Sequence, residues 1–320
     1  MLAVAPASPV VVSLQRLQHG VDDETLEQAF GANSLGIIIV KDLQSKFLDL
    51  RQRVLASRAS VLATLPSHEL AELECEEATW LIGWSCGKEK VAKSGKADVY
   101  KGSFYINCAF HNDASLEGPR SDLVASYANH KAYTAPNLWP EEVAQLQGFK
   151  SECKELINLI IDVAELVAGN CDRYISKLYA DYETGYLKSM IKQSTCTKAR
   201  LLHYFPAQDG CGNNDDAEDD DWCGEHVDHS CLTGLTSAVF LDESRGITHA
   251  LDGSPDPEAG LYIRNRNDEV VKVNIPHDCL AFQSGSALQE ISKGKFRAVP
   301  HFVKGTSMPR IARNTLAVGS

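Results

Sequence analysis

Residues 223–236 read Cys-Gly-Glu-His-Val-Asp-His-Ser-Cys-Leu-Thr-Gly-Leu-Thr. Two histidines, an aspartate and two cysteines stand in this run, all of them metal ligands by type. Taken as a β-strand, the run separates them, because strand side chains alternate between faces. His226 and Asp228 lie two positions apart, share a face and can reach one ion together. His229 points the other way. Cys223 and Cys231 stand at odd offsets from the pair and are expected to be structural thiols.

A His-x-Asp pair occurs by chance in many chains, so a metal site needs a distant third ligand. Three histidines follow downstream. His249 lies in the Gly- and Pro-rich stretch 244–260, and His277 follows Pro276 at a turn. His301 sits in the β-like run Ala298-Val-Pro-His-Phe-Val-Lys304 and is the expected partner. Two neutral imidazoles and one carboxylate make a facial triad with open coordination positions, which suits non-haem Fe(II). Zinc competes for the same donors, although the chain has no HExxH helix.

A cosubstrate with a distal carboxylate needs a guanidinium fork and a hydroxyl. Near the C-terminus, Pro309-Arg-Ile-Ala-Arg-Asn-Thr-Leu-Ala-Val318 offers two arginines. Arg313 shares a strand face with Thr315, whereas Arg310 is followed two positions later by Ala312, which has no hydroxyl. Arg313 with Thr315 is the better clamp, and Arg310 is the runner-up.

The rest of the chain frames these residues. At 320 residues it is long enough for a sizeable core. Its net charge of -12 argues against a nucleic-acid phosphate backbone as partner. The ten cysteines are irregularly spaced with no CxxC pair, which points to free thiols in a reducing, cytoplasmic compartment. The N-terminus lacks a basic n-region, so no secretory signal is expected, and no apolar run has transmembrane length. Eight acidic residues between Asp209 and Glu225 read as a solvated loop.

The first half is mainly helical in pattern. Val10–Leu14 and Gly36–Val40 are expected strands, and Asp22 can cap a helix that Gly31 stops near Phe30. Apolar spacing predicts helices over 43–65 and 141–182. After Lys198 short β-like runs follow one another: Arg200–Phe205, Leu232–Leu241, Gly260–Arg264, Glu269–Val273, Cys279–Gln283, Ala298–Lys304 and Arg313–Val318. Many short late strands suggest a sandwich or barrel.

Together these residues resemble the isopenicillin N synthase-like group of the Fe(II)/2-oxoglutarate-dependent oxygenase superfamily. The resemblance rests on His226-x-Asp228, His301 and Arg313-x-Thr315, with Thr315 in place of the usual serine. Arg200-Leu-Leu-His-Tyr-Phe-Pro206 is similar to the group's Tyr-Tyr-Pro strand, and Gly260-Leu-Tyr-Ile-Arg264 to its Gly-Leu-Gln-Val strand. The run from Phe282 to Phe296, with Gly285-Ser-Ala-Leu-Gln289, is similar to the Gly-Asp-Ala-Leu-Gln segment that leads to the second histidine.

The resemblance implies a mainly β protein with helices (α+β), a double-stranded β-helix or jelly roll braced by N-terminal and central helices. It implies a companion region over 1–110, helical support over 111–196 and a catalytic jelly roll over 197–320, forming one compact unit. It also implies an oxidoreductase, a dioxygenase that uses O₂ and 2-oxoglutarate to hydroxylate or desaturate a small molecule. His226, Asp228 and His301 would hold iron, Arg313 and Thr315 would hold the cosubstrate, and ascorbate is an optional accessory. Where relatives place a tyrosine, this chain has Phe205, and the neighbouring inward position is His203, either a carboxylate donor or a satisfied core histidine. An iron oxidase that does not use 2-oxoglutarate and a non-catalytic member of the fold stay open as alternatives, as does the oligomeric state.

Overall fold

Both faces of most strands in this chain are buried, so alternate residues along each strand enter different cores. The computed structural model describes residues 8–90, 95, 97–206, 221–306 and 308–320. Most of the acidic run 209–225 lies outside the described residues. The strands are β1 (Val10–Ser13), β2 (Ile37–Lys41), β3 (Gly83–Cys86), β4 (Lys101–Asn107), β5 (Lys198–Tyr204), β6 (Asp221–His226) and β7 (Leu232–Thr236). They continue as β8 (Val239–Asp242), β9 (Gly260–Arg264), β10 (Val270–Val273), β11 (Leu280–Ser284), β12 (His301–Lys304) and β13 (Ile311–Gly319).

The larger, 9-stranded sheet has the order β1-β2-β11-β7-β13-β5-β4-β3, with β8 also paired to β13. The smaller, 4-stranded sheet has the order β10-β9-β12-β6. The two sheets face each other as a jelly roll, and helices cover the outer face of the larger one. In β2, Ile37 and Ile39 enter the core between the sheets, while Ile38 and Val40 enter the core under the helices. In β5, Leu202 and Tyr204 face the inter-sheet core, while Ala199 and Leu201 face the helices.

Several expected boundaries move. The strand expected over Leu232–Leu241 is two strands, β7 and β8, separated at Ser237 and Ala238. The helix expected from Glu141 to Tyr182 runs over Phe149–Leu178. Pro140 and a 3₁₀ turn at Ala144–Leu146 precede it, and Gly148 with φ 84° breaks the helical path before Phe149. A short helix at Leu14–His19, capped by Ser13, follows β1 where only a strand was expected. Asp22 caps the Asp23–Phe30 helix as expected, accepting from the Thr25 amide at 2.8 Å. The 43–65 helix begins at Ser45 and ends at Ala63, with a π-helical turn at Val54–Arg58. Asn314 Nδ2 reaches out of β13 to donate to the Leu55 carbonyl in that turn, at 2.6 Å.

The Phe149–Leu178 helix packs against the middle of the larger sheet. Gly234 on β7 allows the approach, because a Cβ there would lie 2.5 Å from Ile160 Cγ2 and 3.1 Å from Phe282 Cε1. Among the described residues no helix is long and apolar enough to cross a membrane. Every described cysteine is a free thiol.

The crowding at Gly234 has a measurable consequence. Gly234→Val should destabilise the chain by about 1–3 kcal/mol through overpacking. A urea unfolding curve should show a lower midpoint with an unchanged slope, and an unchanged midpoint would mean that the helix can lift without cost.

Candidate metal centre and anion pocket

β6 and β12 are antiparallel neighbours, and their register places His226 directly opposite His301. The two imidazole centroids are 4.3 Å apart. Asp228 lies just beyond the end of β6, not on the strand, and the chain turns there to bring its carboxylate between the rings. Its Oδ1 is 3.6 Å from His226 Nε2 and 3.8 Å from His301 Nε2. One ligand atom from each residue falls within 4.8 Å of the others, and both separations from Asp228, 3.6 Å and 3.8 Å, lie inside the roughly 4.2 Å that two bonds of about 2.1 Å to a shared ion can bridge. His226 and Asp228 thus come together through a turn and not through the strand periodicity that was expected to align them.

The turn is pinned from behind. Ser286 donates its amide to the Asp228 carbonyl at 2.8 Å, and Gly285 donates to the Cys231 carbonyl at 3.0 Å. Only glycine fits at 285, since a Cβ would come within 2.0 Å of the Ser230 carbonyl oxygen. His226 Nδ1 donates to the Gly224 carbonyl at 2.8 Å, which leaves Nε2 as the nitrogen available to a metal. The remaining candidates stay out of the triad: His229 is exposed, and the carbonyl of His249 accepts from the Asp242 amide at 2.9 Å. His277, also exposed, lies at the edge of the cavity that the triad opens into.

Cys231 is buried in the helix-side core, as expected of a structural thiol. Cys223 corrects its expectation. Register shifts between β6 and β12 break the simple alternation, and its sulfur sits 3.9 Å from His226 Nδ1, facing the cavity. The contact with Cys223, more than the charge of Asp228, pushes the His226 imidazole up to about 9 against the effect of burial.

The triad opens into a cavity of about 690 Å³ between the sheets. At β13, Arg313, Thr315 and Ala317 face this cavity, while Ala312, Leu316 and Val318 face the helices. Arg313 is 6% exposed, and its Nε and Nη1 have no hydrogen-bond partner among the described residues. Its guanidinium lies over the ring of Tyr204, 5.1 Å from the centroid. Burial lowers its proton affinity, and the opposing influences come from Tyr204 and Cys223, with no carboxylate among them. A buried cation without an anionic partner is costly, so this one is poised for an incoming anion. The Thr315 hydroxyl donates to the Thr236 carbonyl at 3.3 Å on the same wall.

Arg310, the runner-up, is exposed in a turn with φ 61° and does not line the cavity. His203 does not line it either. The register pairs Arg313 with Tyr204 and Asn314 with His203, so His203 points to the helices along with Asn314. Its Nδ1 is 2.7 Å from Asn314 Oδ1, and it is 2% exposed. Phe205 follows the last residue of β5 and packs edge-on against His203, with centroids 4.6 Å apart. The aromatic residue of β5 that faces the cavity is Tyr204, one position from the place assigned by the motif. The parity of Leu202 and Tyr204 with the apolar stripe of β5 was the signal for it. Arg51 is a second residue that the sequence did not single out. It lines the cavity from the Ser45–Arg53 helix, and its Nη2 donates to the Ser237 carbonyl at 2.9 Å.

No family model matches the chain. It is 23% identical over 241 residues to the 2-oxoglutarate-Fe(II) type oxidoreductase hxnY of Emericella nidulans, a match covering 73% of this chain. The match spans 60% of that relative's length. A full-length Neurospora crassa protein, solved in complex with alpha-KG and thymine, superposes with a TM-score of 0.69 at 18% identity, over 97% of this chain and 85% of that one. JOX2, solved with 2OG, Fe and JA, superposes with a TM-score of 0.61 at 13% identity, over 100% and 76%. The chain therefore has the jelly-roll fold of these structural neighbours and resembles hxnY in sequence.

The buried His203 makes stability depend on acid. Burial lowers its pKa from 6.5 to about 4, so the folded state refuses a proton that the unfolded state takes. The neutral ring's contribution is complete above pH 6.5 and is lost as pH falls from 6.5 towards 4, by about 2 kcal/mol at pH 5. His203→Gln should flatten the stability difference between pH 7 and pH 5, measured by urea unfolding. An equal pH dependence in the variant would assign the acid limb to other groups.

Proposed function

We propose that this chain is a non-haem Fe(II) oxygenase that uses O₂ and 2-oxoglutarate to oxidise a small organic molecule in the cytoplasm. The carrying observation is the pairing of two features in one cavity: three convergent potential metal donors, and a buried guanidinium with N–H groups that find no partner among the described residues. Two imidazoles and one carboxylate fit Fe(II) and leave positions for a bidentate cosubstrate and O₂. The curated relative carries the same cosubstrate and metal in its name, and small molecules occupy the named structural neighbours.

His226, Asp228 and His301 would hold the metal on its protein side. Bound Fe(II) would supply O₂ activation coupled to decarboxylation of 2-oxoglutarate to succinate and CO₂. Arg313 would take the distal carboxylate, with the Thr315 hydroxyl beside it and Tyr204 fixing the plane of the guanidinium. Leu202, Phe240 and Leu261 wall the cavity and would keep bulk water from the reacting centre. The companion region 1–110 and the catalytic region 197–320 would act as one unit, because Arg51 lines the same cavity. An iron oxidase that does not use 2-oxoglutarate would leave Arg313 buried with no anion to meet, so the geometry favours the cosubstrate. Ascorbate would serve only to keep the iron reduced.

Anaerobically Fe(II)-loaded protein should convert 2-oxoglutarate to succinate in air, even slowly without substrate, and Zn(II)-loaded protein should not. Arg313→Gln should raise the KM for 2-oxoglutarate about 10- to 150-fold, the worth of about 1.5–3 kcal/mol for charge-assisted hydrogen bonds. Metal content should stay unchanged. Succinate release by Arg313→Gln at wild-type KM would exclude the clamp.

A further inference from the structure

We propose that Gln283 is a positioning residue for the metal centre, which sets the ligand nitrogen of His301 by accepting a hydrogen bond from its Nδ1–H. The inference rests on the reading that the triad holds a divalent metal. The two imidazoles are oriented by different means. His226 relies on the Gly224 backbone carbonyl. His301 meets a side chain: Gln283, fully buried on β11, places an amide end 2.7 Å from His301 Nδ1.

The protonation of Nδ1 follows from its other neighbour. The Val299 carbonyl oxygen lies 3.4 Å from the same nitrogen, and a carbonyl oxygen only accepts. A hydrogen on Nδ1 therefore satisfies both neighbours only if the amide turns its oxygen towards the ring. Gln283 Nε2 stands at that end, and Oε1 is buried at the other with no partner among the described residues. Turning the planar amide by 180° exchanges the two atoms, sacrifices no existing bond of Oε1 and creates Nδ1–H···Oε1. The His301 Nε2 lone pair then faces Asp228 and His226, where the shared ion would sit. The opposite tautomer would place a hydrogen in the middle of the triad. Register explains why Gln283 is available. β11 lies in the larger sheet with Gln283 opposite Thr233 of β7, while His301 starts β12 in the smaller sheet, so the contact ties the two sheets together at the metal end.

Co(II) titration of the full chain, followed by its visible d–d absorption, tests the proposal. Gln283→Met keeps the length and burial of the side chain but replaces the amide oxygen with a weakly accepting thioether, and should weaken Co(II) binding about 10- to 100-fold. Gln283→Glu keeps an acceptor and should bind within about threefold of the wild type. Wild-type affinity in Gln283→Met, or equal loss in both variants, would overturn the proposal. A second measurement needs no variant. The ¹⁵N shifts of His301 in the metal-free wild-type protein at pH 8 should report the Nδ1–H tautomer, and the Nε2–H tautomer would overturn the assignment even if Gln283→Met failed to fold. A wild-type chain that bound no Co(II) would instead remove the metal site itself, a result distinct from both.

Discussion

The two-residue repeat of a sheet buried on both faces governs this structure. β5 and β13 lie side by side near the centre of the larger sheet, with helices on one face and the cavity on the other. Each residue must belong to one side or the other, and a slip by one position would exchange every assignment. Arg313 and Tyr204 face the cavity together because their register makes them neighbours, and Asn314 and His203 face the helices for the same reason. The second pair is itself structural, since Asn314 bonds both His203 and the π-helical turn at Leu55. The polar content of β13 is thus divided between a site and a brace.

That division makes the cavity electrostatically directional. At one end three donors converge from β6, the turn after it and β12. On the β13 wall Arg313 is desolvated, with part of its hydrogen-bonding capacity unspent among the described residues. A ligand with a chelating end and a distal carboxylate matches both features at once. The approach of Gly285 to Ser230 holds the turn that carries Asp228, and the Gly224 carbonyl and the Gln283 side chain contact the two imidazoles, so the three donors are set by their surroundings.

Much of this was legible in the chain. His226, Asp228 and His301 were picked out by residue type and by the β character of their surroundings, and they converge. Arg313 was preferred over Arg310 because a hydroxyl follows it on the same strand face, and the structure buries Arg313 in the cavity wall and leaves Arg310 in an exposed turn. The errors were errors of parity. His203 and Phe205 were assigned inward by alignment to a motif, whereas β5 ends at Tyr204, and its apolar stripe runs through Leu202 and Tyr204. Cys223 was sent outward by counting along an ideal strand, and the irregular pairing of β6 with β12 turned it inward. The long helix began late because Gly148 interrupts a periodic apolar pattern that continues on both sides of it.

Local chemistry by itself determined the ligand types, the strand-rich second half and the arginine–threonine pair, because these depend on residue identity and on spacing within a few positions. Only the tertiary structure decided which face each residue occupies and which distant residues meet. Gln283 reaches His301 across two sheets, and Arg51 reaches the cavity from a helix that precedes the β6–β12 site by most of the chain. Those meetings follow from strand register and from the packing of helices on a sheet, which are properties of pairs of segments and cannot be written in either segment alone.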